Sequence, residues 1–286
     1  MKLINYTVCI YAADENSFSA RKQQIQNLCI AKNIEWCPSQ ITSREHFFLL
    51  RPNEFIVFLD ADCEPDICFF QNIEQVLSSS VFNNVCKLSK PAGCSVIASG
   101  IYKNNNQSSY LQKVHNVISN IWIRQFYEVK MKPRCFLGGV FIVYHQLKMT
   151  KLEIHKYFKV TQLWGGEEKM LSQVLINHPF NFEFHLNTNL AVTHLTRSGL
   201  KHFLRRAWLH GKNEIYLLDF DKEYKEKSRV KKIVFNLNLL NYWIQNIPWG
   251  LSVGVFLHFL IQRVAKIFQI FGQSYKQKKL KSANEI

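Results

Sequence analysis

Five side chains stand where chemistry could be done. In FIVFLDADCEPD (55–66), five apolar residues lead into Asp60-Ala61-Asp62 and the run stops at Pro65. A short apolar run of this kind reads as a buried parallel strand, and open α/β sheets bind ligands beyond the carboxyl ends of such strands. Alternation along the strand sends Asp60 and Asp62 to the same side and Ala61 to the other. Two carboxylates side by side repel unless a cation joins them. Oxygen ligands suit Mg²⁺ or Mn²⁺, which complete their coordination with water and the oxygens of a substrate diphosphate. D-x-D is also common in loops and helix caps, so the pair alone does not fix a function.

The second group is Gly165-Gly166-Glu167-Glu168, in WGGEEKMLSQVLIN (164–177), a glycine turn feeding a helix. Acids in a first helical turn ordinarily complement the macrodipole. Adjacent glycines before them add close approach of backbone and substrate. A glutamate held there, facing a cleft, could accept a proton from an incoming hydroxyl. The fifth side chain is His194 in NLAVTHLTR (189–197), just past an apolar strand. A lone histidine is commonly structural; at a strand end, with a D-x-D elsewhere, it is also a credible metal ligand.

The elements that must position these residues alternate. Strands are expected at 6–11, 55–60, 94–102 and 189–197, with an apolar run following two glycines in FLGGVFIVY (136–144). Helices are expected at 17–31 (opened by Ser17), 67–79, 108–128 and 164–177. That order argues for an α/β fold, a mostly parallel twisted sheet with helices on both faces. The chain of 286 residues is 47% apolar and 14% aromatic, enough for a sizeable core, which excludes intrinsic disorder and collagen-like fibres. Eight cysteines contain no C-x-x-C pair, which excludes a zinc ribbon or secreted disulfide framework and points to a reducing compartment. The N-terminus reads as a strand, not a signal peptide.

Taken in order, these segments resemble family-2 glycosyltransferases of the GT-A fold. FIVFLDADCEPD is similar to that family's strand and D-x-D, FLGGVFIVYHQ to its acceptor-side glycine segment, and WGGEEKMLSQVL to its base-carrying helix. AVTHLTRSGLKHFLRRAWLHGKN resembles its closing histidine and the basic, aromatic helix after it. The match spans about residues 40–215, with 106 residues from Asp62 to Glu168. The resemblance implies an inverting transferase that takes a sugar from a nucleotide-sugar donor (UDP- or another NDP-sugar). Its implied cofactor is a divalent cation, Mn²⁺ or Mg²⁺. By position, Asp62 and His194 would hold the metal and Asp60 would contact ribose or metal. Glu168 would be the base with Glu167 its partner. Tyr11, Ala12, Arg44, Gly138, Gly139, Gly165 and Gly166 would line the nucleotide-sugar site. The N-terminal half is shortened, since only IEWCPSQ lies where the family has a second, aspartate-ended strand. The synthase motif Q/R-x-x-R-W is absent, Arg205-Arg206-Ala207-Trp208 having another spacing, which favours single additions over processive synthesis.

Charge and hydropathy divide the chain. The formal net charge is +15, and residues 201–286 carry 16 basic against 6 acidic side chains. The expected organisation is a GT-A-like domain over 1–215 and a basic, amphipathic helical region over 216–286. Residues 249–271 are the most apolar stretch. His258, Gln262, Lys266, Gln269 and Gln273 form a narrow polar stripe along it, followed by Lys276, Lys278, Lys279 and Lys281. A helix of this kind can lie in the headgroup region of an anionic membrane, or pack on the domain or another subunit. The expected location is cytoplasmic, peripheral on the inner face of the cell membrane, and the acceptor a glycan or lipid-linked sugar of cell-surface polysaccharide synthesis. Two other classes fit parts of the sequence. One is a GT-A scaffold that has lost donor binding and serves as a partner subunit. The other is a basic nucleic-acid binder, disfavoured because the run 222–232 is interleaved with Glu223 and Glu226 and no nucleic-acid motif is present.

Overall fold

The computed structural model describes residues 5–28, 33–39, 43–78, 95–129, 135–157, 167–177, 179–195, 199–219 and 229–284. Among the described residues, seven strands form one sheet: β1 (Thr7–Ala12), β2 (Asn33–Pro38), β3 (Ile56–Asp60), β4 (Cys63–Glu64), β5 (Ser95–Lys103), β6 (Val140–His145) and β7 (Phe182–His194). Their order is β2-β1-β3-β6-β5-β7-β4. Five strands run one way, as the expected mostly parallel sheet requires, while β6 and β4 are reversed against their neighbours. The result is a mixed α/β fold, consistent with a GT-A-like architecture.

Alternation along the central strands supplies both cores. Val57 and Leu59 of β3 face one side, with Val8 and Ile10 of β1. There they meet Ile25 of α1 (Glu15–Leu28), Phe69 and Ile73 of α3 (Ile67–Leu77), and Phe126 of α4 (Tyr110–Glu128). Ile56 and Phe58 face the other side. Their partners are Phe48 of α2 (Ser43–Leu49), Ile154 of α5 (Lys151–Tyr157) and Leu175 of α6 (Glu167–Leu175). A strand buried on both faces must read as a continuous apolar run, which is what IVFL is.

Three details differ from the sequence expectation. The first helix begins at Glu15 because the Asp14 carboxylate, not Ser17, caps it, accepting from Ser17 N at 2.8 Å. IEWCPSQ does contain a second strand: β2 pairs in parallel with β1 and ends at Pro38 without an aspartate. The last strand runs from Phe182, seven residues before the expected start, and lies beside β5 with a register shift between Ser99 and Ile101. Its alternation is obscured in the sequence by the polar stretch His185–Asn189.

The C-terminal region is helical: α7 (Leu200–Asp219), α8 (Arg229–Asn246), a 3₁₀ turn (Trp249–Leu251) and α9 (Ser252–Asn284). It is docked on the body. Phe203 of α7, Trp243 of α8 and Val255 of α9 share a core with Val114, Ile118 and Ile121 of α4.

Candidate functional site

The site forms at the carboxyl end of β3. Strand pairing carries Asp60 to the rim, opposite Tyr11 of β1. The chain then turns through Ala61 and Asp62 into β4. The turn is fixed by backbone bonds from Asp60 N to Gly139 O (3.0 Å), Ala61 N to Tyr11 O (3.0 Å) and Leu195 N to Asp62 O (2.7 Å). Arg21 of α1 braces it, donating to Ala61 O at 3.0 Å while pairing with Glu64 at 3.6 Å.

Each aspartate has its own partner. The Asp62 carboxylate, about half exposed, lies 3.3 Å from His194 Nε2. This contact follows from the sheet, because β4 pairs antiparallel with the end of β7 and puts Cys63 opposite His194. His194 is buried and stacks on Tyr102 of β5, ring centroids 4.2 Å apart, with His115 of α4 at 5.2 Å. Asp60 instead accepts from Arg44 Nη2 at 3.2 Å. Arg44, buried near the start of α2, stacks its guanidinium on the Tyr11 ring (4.1 Å) and lies 3.9 Å from Glu168 Oε1. Glu168 sits in the first turn of α6, the turn that satisfies free N–H groups with acidic side chains.

The two groups of residues meet across a pair of glycines. A side chain at Gly138 would collide with the Glu168 carboxylate and Arg44, and one at Gly139 with the Tyr102 hydroxyl and Cys63. The segment is held by Leu137 N, which donates to Ser99 Oγ at 2.8 Å. Tyr11, Arg44, Asp60, Asp62, Gly138, Gly139, Glu168 and His194 are thus brought together from three strands, two helices and two loops. Ala12 is buried at the end of β1 and its carbonyl accepts from Trp36 Nε1 at 3.2 Å and Ser39 N at 2.8 Å. Gly165 and Gly166 lie outside the described residues. Glu167 opens α6, and its side chain lies outside them too.

Partial removal from water pushes the Asp62 carboxyl upward. The His194 hydrogen bond and the charges of His194, Arg206 and Arg21 outweigh it, leaving Asp62 below the ordinary carboxylate value. Asp62, Cys63 and His194 each offer a ligand atom, all within 4.8 Å of one another. The chemistry of these donors fits a divalent cation bound by carboxylate oxygen and imidazole nitrogen. Cys63 contributes less: burial, then the charges of Asp62 and Asp60, raise its thiol well above the ordinary value, so it stays protonated. Burial likewise raises Tyr102 and lowers His115, keeping both neutral behind His194.

The sequence expectation missed Tyr102, His115 and Arg206. Tyr102 ends an apolar strand as Asp60 does, and His115 falls on the apolar face of a long helix. Those positions are the available signals.

No protein-family model matches the sequence, and no curated protein matches it. Among solved structures, the crystal structure of S. aureus TarS 1-349 is similar over 95% of this chain and 92% of that one. The identity is 11% and the TM-score 0.32. At that identity and score the likeness bears on neither activity nor substrate.

Proposed function

We propose that the chain is a metal-dependent, inverting glycosyltransferase of family-2 type. It moves one sugar from a nucleotide-sugar donor to a glycan or lipid-linked acceptor. The observation that carries this reading is the convergence at one strand end of an Asp62–His194 pair and an Asp60–Arg44–Glu168 group, gathered from residues far apart in sequence. Asp62 and His194 would hold Mn²⁺ or Mg²⁺, and a bound cation there neutralises charge developing on a departing diphosphate. Asp60 and the Tyr11–Ala12 strand end border the donor. Glu168 takes the proton of the acceptor hydroxyl as its oxygen bonds to the anomeric carbon and the bond from that carbon to the diphosphate breaks. Arg44 orients the Glu168 carboxylate through their ion pair, and Gly138, having no side chain, lets that carboxylate and the guanidinium pack against its backbone. The acceptor side lies on the cytoplasmic face of a membrane, to which the C-terminal helices attach the enzyme.

A second reading is favoured by one observation. Arg44 already satisfies Asp60 and links it to Glu168, which suits a scaffold that no longer binds a donor. A panel of nucleotide sugars incubated with the protein and Mn²⁺ or Mg²⁺ separates the two. The transferase reading predicts cation-dependent hydrolysis of one donor class. No hydrolysis and no binding across the panel with either cation would leave the scaffold.

A further inference from the structure

Outside the site, the largest unexplained feature is the outer side of the C-terminal helices. In α9, Val253, Phe256, Leu257, Leu260, Val264 and Ile267 are exposed. Their steps of 3, 1, 3, 4 and 3 define one helical stripe. The opposite side carries His258, Gln262 and the small residues Gly254 and Ala265, and this side faces the protein. His258 is buried and in contact with Gln262 (3.1 Å) and Phe203, and burial, with Arg206 secondary, lowers its pKa to about 4. α9 therefore shows an apolar stripe to solvent, while its inner side mixes His258 and Gln262 with the buried Val255 and Ala265.

The apolar surface continues past α9. Trp249 is 95% exposed and Val253 78%, and Ile244 and Leu240 of α8, a little earlier in sequence, are also exposed. On α7, Leu204 and Trp208 are exposed, and Trp208 meets Phe268 of α9 at 5.9 Å. Side chains of this size gain about 1.5–3 kcal/mol each on leaving water, and a patch this broad marks an interaction surface.

We propose that this face of α7, α8, the 3₁₀ turn and α9 rests in the plane of an anionic lipid leaflet, without crossing it. Charge identifies the occupant. From Lys227 through Asn284 there is not one Asp or Glu, against ten Lys and Arg. Lys201, Arg205, Lys212 and Arg263 are exposed on the helices that carry the face. Exposed basic side chains beside an apolar surface with exposed tryptophans match an anionic headgroup layer over acyl chains, and the acids of these helices, Glu214 and Asp219, are confined to the end of α7. A second copy would instead set this basic margin against itself, a like-charge juxtaposition.

Tethering to the body decides between lying and crossing. Trp249–Gln269 is long and apolar enough to span a bilayer. Its inner side, however, is bound along its length. Gly254 N donates to Tyr110 of α4 (3.1 Å), and Gly211 of α7 packs so closely on the Gln262 backbone that a side chain there would collide. A crossing helix would give up these contacts and carry His258, Gln262, Arg263 and Lys266 into hydrocarbon. The proposal deepens the membrane attachment proposed above and stands apart from the transfer chemistry.

The test is flotation of the full chain with phosphatidylcholine vesicles and with vesicles containing phosphatidylglycerol, in the absence of donor and cation. The chain should float with the anionic vesicles and far less with the neutral ones at raised salt. Phe256→Glu/Leu260→Glu should weaken binding by more than about tenfold. Lipids brominated near the headgroup should quench tryptophan fluorescence more than lipids brominated near the chain ends. That measurement needs no variant and reads the depth of Trp249 and Trp208. Absence of flotation, or equal quenching by the deep bromines, would overturn the proposal. So would a stable dimer in sedimentation that the same double substitution dissociates. Each result stands whether or not the chain hydrolyses a nucleotide sugar.

Discussion

Gly138 shows how little room the site leaves for error. Its missing side chain is replaced by the Glu168 carboxylate and the Arg44 guanidinium. Gly138→Ala should displace both, and a displacement near 1 Å in a catalytic group costs on the order of 100-fold in rate. Transfer kinetics beside a thermal melt would separate that loss from unfolding. Glu168→Gln keeps the size of the side chain and removes the base. The variant should bind donor as before and lose transfer, and full transfer by it would remove Glu168 from the mechanism. At this scale much of the arrangement was legible. Asp62 and His194 each follow an apolar strand, so both had to reach the same edge of the sheet. What could not be read was the division of labour between the aspartates. Asp60 turns to Arg44 and Asp62 to His194 because the two-residue strand β4 redirects the chain, and two residues carry no periodicity to detect.

Single caps fix where elements begin. Asp66 caps α3, accepting from Phe69 N at 2.9 Å and pairing with Lys103 of β5. Partial burial raises its pKa, but the Lys103 and Phe69 hydrogen bonds outweigh it and hold the folded value below the unfolded one. The stabilisation is therefore complete above the unfolded pKa of about 4 and disappears as pH falls through the lower folded value. Asp66→Ala should cost about 1 kcal/mol in denaturant unfolding at neutral pH. The difference from the native chain should shrink at pH 3; a constant difference would exclude the ionised carboxylate as the cause. Ser109 behaves similarly at α4, where a capping box with Gln112 closes the first turn. Caps, apolar runs and helical periodicity were visible in the sequence for α3, α4 and β3. β2 was not, since Glu35, Trp36 and Pro38 break any strand pattern, and only pairing with β1 extends it.

The molecule is an α/β body whose candidate site and apolar helical face are bridged by α7, since Arg206 of that helix acts on Asp62. That helix starts soon after His194, presents Trp208 outward and packs Gly211 against α9. Gly211→Leu should pry α9 away from α7 at a cost of about 1–3 kcal/mol, seen as a lower unfolding midpoint. Unchanged stability would show that the two helices are not tightly joined. The alternation of polar and apolar residues in 249–271 was plain from the sequence; which side faced the protein was not, because amphipathicity alone does not say what the partner is. The proposed function requires donor and cation to bind at one site, and the most direct measurement is calorimetric titration of the chain with nucleotide sugars. Nucleotide sugars should bind the native chain only with Mn²⁺ or Mg²⁺ present, and Asp62→Ala should abolish that cation-dependent binding while its thermal unfolding stays near the native value. Equal donor binding by Asp62→Ala, with or without the cation, would contradict it.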